Sequence, residues 1–192
     1  MKTLPGISQI LFNRFYSIFR TLPCIFCTLA IASSVSAQET DNAMLKYGLN
    51  FLKTPYVAHT LEVNEEEKLV VNFDEVDCTT FVEYVLALAL SPVKNGTIDN
   101  ADYARTLQSI RYRDGKINGY TSRLHYIADW VNNGVRHGFM EDITAANSPD
   151  TVRLSLNFMS THPKAYKHLE SSPENISKIE EIEKSLSGQL FH

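Results

Sequence analysis

Asn72-Phe73-Asp74-Glu75-Val76-Asp77-Cys78-Thr79-Thr80-Phe81-Val82-Glu83-Tyr84-Val85-Leu86-Ala87-Leu88-Ala89-Leu90 is the stretch whose reading decides the fold. The apolar run Leu69-Val70-Val71 before it reads as a strand, extending over Lys68 to Phe73. After it, Phe81, Val82, Val85, Leu86, Leu88, Ala89 and Leu90 nearly encircle a helical axis, so this is the expected core helix, closed by Ser91-Pro92. With Asp77 as N-cap, Cys78 falls in the first turn, where unpaired N–H groups and the positive end of the helix dipole favour thiolate over thiol. The stretch therefore presents a nucleophile at the start of a buried helix. The plain alternative is a small apolar cysteine opening a core helix.

Outward from this stretch, the N-terminus has the layout of an export leader. Lys2, Arg14 and Arg20 give a basic start, Leu22 to Ala32 an apolar centre, and Val35-Ser36-Ala37 small residues before a cut after Ala37. Residues 1–37 are thus expected to be a signal peptide and 38–192 one domain, exported to the periplasm or outside the cell, with no membrane span after cleavage. Removing the leader leaves 15 basic residues against 22 acidic ones, a net charge of about −7 with histidine neutral. That balance argues against nucleic acid or an anionic membrane as the main partner. Cys24 and Cys27 leave with the leader, so Cys78 is the one cysteine of the mature chain. It is then reactive, buried and inert, or paired with a second chain. Neither cysteine nor histidine spacing suggests a metal site, and no cofactor is expected.

Flanking elements follow from periodicity. Glu39 to Leu52 reads as a helix capped by Thr40 or Asp41 and stopped by Thr54-Pro55, with Tyr56 to Leu61 extended after it. Asn100 to Arg111 is a helix with Tyr103, Leu107 and Ile110 on one stripe. Ser122 to Val135 reads as another, ended by Gly134 or Gly138, in which His125 and Asp129 pair at i, i+4. Met140 to Ile143 and Thr151 to Phe158 look like short strands, and Glu174 to Leu186 like an amphipathic last helix.

A cysteine nucleophile needs a base and something to orient it. Of the six histidines, His137, His162, His168 and His192 read as cap, turn, polar-helix and terminal residues. His59 could approach Cys78 if the segment after Tyr56 pairs with the strand before the cysteine. His125 is the sharpest candidate, with Asp129 to hold its ring.

Thr54-Pro55-Tyr56-Val57-Ala58, Thr60-Leu61-Glu62, Asp77-Cys78-Thr79-Thr80-Phe81-Val82-Glu83, Ile110-Arg111-Tyr112-Arg113-Asp114-Gly115 and Ser122-Arg123-Leu124-His125-Tyr126, in that order, resemble one family. It is the N-acetylmuramoyl-L-alanine amidase-like family of bacterial exported proteins, within the NlpC-type papain-like hydrolases. The resemblance implies an α+β, papain-like fold and a cysteine amidohydrolase acting on peptidoglycan or muropeptides. Cys78 would attack an amide carbonyl; Tyr56, Asp77, Arg123 and His125 would line the substrate site, with Arg123 suited to a stem-peptide carboxylate. The family pattern also carries its catalytic histidine on a strand of a sheet after the helical region. Here Leu186 is followed by Ser187-Gly188-Gln189-Leu190-Phe191-His192, with no such strand. The expectation is a helical half with the C-terminal sheet half truncated, or a member that uses another base such as His125; the alternative to an active enzyme is an inactive remnant that binds muropeptides.

Overall fold

The computed structural model describes residues 43–191. The expected leader with Cys24 and Cys27, and the expected Thr40 or Asp41 cap, lie outside these residues. Helix α1 covers 43–49, and turns carry the chain to Pro55. There Val57 N–H donates to Val76 O at 2.9 Å and Val76 N–H to Pro55 O at 3.1 Å, a parallel bridge that lays Tyr56 beside the approach to α2.

Helix α2 spans Cys78–Leu90, as the apolar pattern predicts. Its start is fixed by a reciprocal cap: Thr80 N–H donates to Asp77 Oδ1 at 2.7 Å, and Asp77 N–H donates to Thr80 Oγ1 at 2.8 Å. It ends where the Ser91 hydroxyl donates back to Ala87 O ahead of Pro92. A hairpin of β1 (Val93–Lys94) and β2 (Thr97–Ile98) turns through Asn95 and Gly96, both at positive φ, the geometry that Asn-Gly supplies at low steric cost. Helix α3 (Asn100–Arg111), capped by Asp99, packs on α2. Tyr84, Leu86, Ala87, Tyr103, Leu107 and Ile110 form the main core with Val76, and Phe51, Phe73 and Phe81 close it from the side. The helix is less uniformly apolar in its surroundings than its sequence suggests. Val82 is 40% exposed, whereas Glu83 is buried against Arg111, whose Nε–H donates to Glu83 Oε2 at 2.7 Å.

One expected element is absent and another is shortened, both through hydrogen bonds to distant parts of the chain. Residues 68–73 form no ladder, and side chains take several of their backbone groups. Arg111 donates to Val70 O at 2.6 Å, Tyr112 Oη to Lys68 O at 3.1 Å, and Asn72 N–H donates to Tyr84 Oη at 3.0 Å. Residues 123–126 are not helical either. Leu124 N–H donates to Arg111 O at 2.9 Å and Arg123 bridges Tyr112 antiparallel, so α4 begins only at Ile127 and runs Ile127–Arg136.

Beyond α4, Met140 folds back over Gly134 rather than starting a strand, and α5 (Thr144–Asn147) follows, with Thr144 N–H donating to Asp142. Of the strand expected over 151–158, only β3 (Val152–Arg153) forms. It pairs antiparallel with β4 (Leu190–Phe191), while Phe158–Thr161 winds into α6. The last helix, α7, spans Pro173–Leu186 with Ser172 as N-cap. Its Ile179 joins Tyr120, Met159 and Leu169 in a second, smaller core. Buried Glu183 pins α6 to α7 by accepting from Tyr126 Oη at 2.6 Å and Met159 N–H at 3.0 Å. Helices with small two-stranded sheets make this a helix-rich α+β fold.

Candidate active site

Cys78 is the first residue of α2, exposed and unbridged. The Asp77 cap takes the Thr80 N–H, and Asp77 O takes the Phe81 N–H at 3.0 Å. No acceptor among the described residues engages the N–H groups of Cys78 and Thr79. Two donors are thus left at the helix start, beside the sulfur, where an oxyanion could be held.

A cavity of about 170 Å³ is lined by both neighbours of Cys78, Asp77 and Thr79, and by His59, Glu62, Glu83, Arg123 and His125 among others; Cys78 itself is not a lining residue. His59 reaches it because Pro55–Val57 pairs with Val76 rather than with the segment 68–73. Tyr56 is 70% exposed on that same bridge and is not part of the cavity wall. Asp77 lines the cavity, but its side chain is committed to the cap.

Arg123 and His125 come together in the wall. The Arg123 guanidinium lies over the Tyr120 ring, 5.0 Å from its centroid, donates to Glu62 Oε1 at 2.5 Å and has Glu67 Oε1 3.8 Å from Nε. Burial works against its charge, but Glu67 and Glu62 outweigh that and hold its pKa above the ordinary value. Its charge is therefore balanced from within the protein. Glu67, its side chain largely covered and also accepting from Tyr112 Oη at 2.7 Å, has its carboxyl pushed up mainly by desolvation. His168 Nε2 stands 3.3 Å from Glu62 Oε2, and its ring lies 5.0 Å from that of Tyr120.

The expected His125–Asp129 pair does not form. His125 precedes α4, so the two do not share a helical face, and Asp129 is held by Arg113 at 2.6 Å. His125 Nε2 instead lies 3.0 Å from Tyr120 O. Burial first, then the charge of Arg123, lowers the His125 pKa to about 3. Sequence reasoning also missed Glu62 as a wall residue and His168 as the neighbour of Glu62 and Tyr120 behind it. Glu62 was visible only as part of a motif, and His168 carried no local signal at all.

A larger cleft of about 570 Å³ shares no lining residue with this one. Its main charges pair internally, Arg113 with Asp129 and Arg136 with Asp114. Among the described residues no group of three or more histidine, cysteine or acidic side chains could hold a metal ion, and no helix is long and apolar enough to cross a membrane.

The profile of N-acetylmuramoyl-L-alanine amidase-like proteins (AmiA-like) matches residues 46–190. The chain belongs to this family. It is 61% identical to an N-acetylmuramoyl-L-alanine amidase from Bacteroides uniformis, with a TM-score of 0.76 over 78% of this chain and 63% of that one. A Bacteroides fragilis protein provisionally described as a xylanase is 59% identical, with a TM-score of 0.74 over 77% of this chain and 64% of that one. A Legionella pneumophila protein, 19% identical at a TM-score of 0.54 over 84% and 58% of the two chains, shares the fold alone. The chain thus spans less than two thirds of the length of these solved structures. No curated protein matches it.

Proposed function

We propose that this chain carries the nucleophile of an exported, NlpC-type papain-like cysteine amidohydrolase of peptidoglycan, its domain following a leader of residues 1–37. The observation that carries the reading is Cys78: exposed, first in a capped helix, between two residues that line a cavity. The sulfur attacks the carbonyl carbon of an amide, and the oxygen takes up negative charge against the N–H groups of Cys78 and Thr79. The amine leaves with a proton as the C–N bond breaks, and water then cleaves the thioester. His125 is too weak a base to accept the thiol proton near neutrality, so that task falls to another group. Asp77 acts by fixing the helix start, and Arg123 by shaping the wall. Tyr56, on the strand-like bridge next to α2, meets substrate at the rim.

A glycosidase reading finds less support. It needs two carboxyl groups free to act across a sugar ring. Here Asp77 caps α2, Glu83 is bonded to Arg111, and Glu62 to Arg123.

The test is incubation with defined muropeptides, followed by mass spectrometry of the products. Release of stem peptide is expected from the wild-type chain and absent from Cys78→Ser; equal release by both sinks the cysteine mechanism. A second reading, muropeptide binding without cleavage, is favoured by the low basicity of His125. Saturable binding with no release would select it.

A further inference from the structure

His125 lines the cavity beside Cys78, yet the reaction as proposed gives it no proton to move. Its hydrogen bonding fixes what it offers instead. Tyr120 O, a carbonyl oxygen, can only accept, so the Nε2 atom 3.0 Å away carries the hydrogen. The imidazole is then the Nε2–H tautomer, and Nδ1 keeps a lone pair. No described residue donates to Nδ1. The ring is further fixed by Tyr120, whose centroid is 4.4 Å away, and Tyr120 is itself flanked by His168 and Arg123.

Charged groups around the ring come from several segments. Arg123 precedes it in the chain, Arg113 follows α3, and His168 comes from the segment before α7. All three oppose a positive charge on His125, as burial does more strongly, and only the bond to Tyr120 O favours one. The ring therefore stays neutral across the range in which an ordinary histidine titrates.

We propose that His125 is a fixed hydrogen-bond acceptor in the substrate cavity, its Nδ1 selecting ligands that present an amide N–H or a hydroxyl O–H. This deepens the peptidoglycan reading and rests on it. It makes His125 a specificity-determining residue whose function is independent of proton transfer.

Long-range 15N–1H correlation spectra of the wild-type chain test this directly, recorded from pH 5 to 8 with and without N-acetylmuramoyl-L-alanyl-D-isoglutamine. The expected result is an Nε2–H tautomer that does not titrate in this range, and an Nδ1 resonance that moves as the ligand saturates. A proton on Nδ1, a titration between pH 5 and 8, or an unmoved Nδ1 at saturation overturns the proposal. Saturation with an unmoved Nδ1 leaves the peptidoglycan reading standing; no binding of this probe overturns both. In parallel, His125→Phe should weaken binding about tenfold, the scale of one lost hydrogen bond. His125→Asn, whose amide oxygen can stand near the Nδ1 position, should recover most of it. Equal affinity of the Phe variant and the wild type would also defeat the proposal.

Discussion

Arg111 and Arg123 both bury a guanidinium against carboxylates, but they face different surroundings. Arg111 sits between α2 and α3, with side-chain exposures of 1% for itself and 3% for Glu83, and it also donates to Val70 O. Arg123 has a side-chain exposure of 6%, but its partner Glu62 keeps 22% and both line the cavity. The first web is enclosed and fastens α2 to α3, with Glu83 also reaching the cavity wall. The second borders the space where a substrate would lie and shapes the wall in front. Both webs reach the cavity through a carboxylate, so the contrast lies in enclosure: Glu83 keeps a side-chain exposure of 3% and Glu62 one of 22%.

The largest expected effect is on the enclosed web. Arg111→Met leaves Glu83 charged and unpaired in the interior, which costs about 3–5 kcal/mol, read by urea unfolding. Pairing it with Glu83→Leu should return much of that loss. A cost below about 1 kcal/mol would erase the contrast. Arg123→Ala should be milder in stability, about 1–3 kcal/mol, because Glu62 can turn towards water. It should nonetheless abolish muropeptide binding, measured by calorimetry; intact binding would mean the wall does not depend on this side chain. Between the two webs stands the cap. Asp77→Ala is expected to lose about 1 kcal/mol, and Asp77→Asn only a few tenths, by thermal unfolding.

The last effect concerns pH. The folded-state pKa of His125 is depressed from 6.5 to about 3, so between these values the unfolded chain binds more protons. Its contribution to stability is complete above about 6.5 and is lost as pH falls towards 3. Glu67 and Glu83 run the other way: burial raises both carboxyls, so stability declines as pH rises through their folded values from the ordinary 4.5. Subtracting the stability profile of His125→Asn from that of the wild type isolates the histidine. A flat difference between pH 4 and 6.5 would contradict the depressed value.

What was legible in the sequence is what local chemistry fixes. Asp77 and Thr80 are one turn apart and make their cap unaided, so the start of α2 was readable. The stripe of α3 and the capped α7 follow for the same reason, as periodicity is a short-range signal. The run 68–73 misled because its backbone partners, Tyr84, Arg111 and Tyr112, lie far along the chain. Likewise the helix expected from Ser122 was overridden by the backbone bond from Leu124 to Arg111. The cavity was half legible. Motif positions marked Arg123 and His125, but the pairing of Arg123 with Glu62 spans 61 residues and has no local trace.

The bridge between Pro55–Val57 and Val76 consists of two backbone hydrogen bonds. Through them the segment carrying Tyr56 and His59 is laid beside α2. If the clasp opens as a local fluctuation, it takes the rim with it and leaves both cores intact. Amide exchange at Val57 and Val76 would then be governed by a small opening free energy and not by the global one, so the doorway to the sulfur could breathe while the house stands.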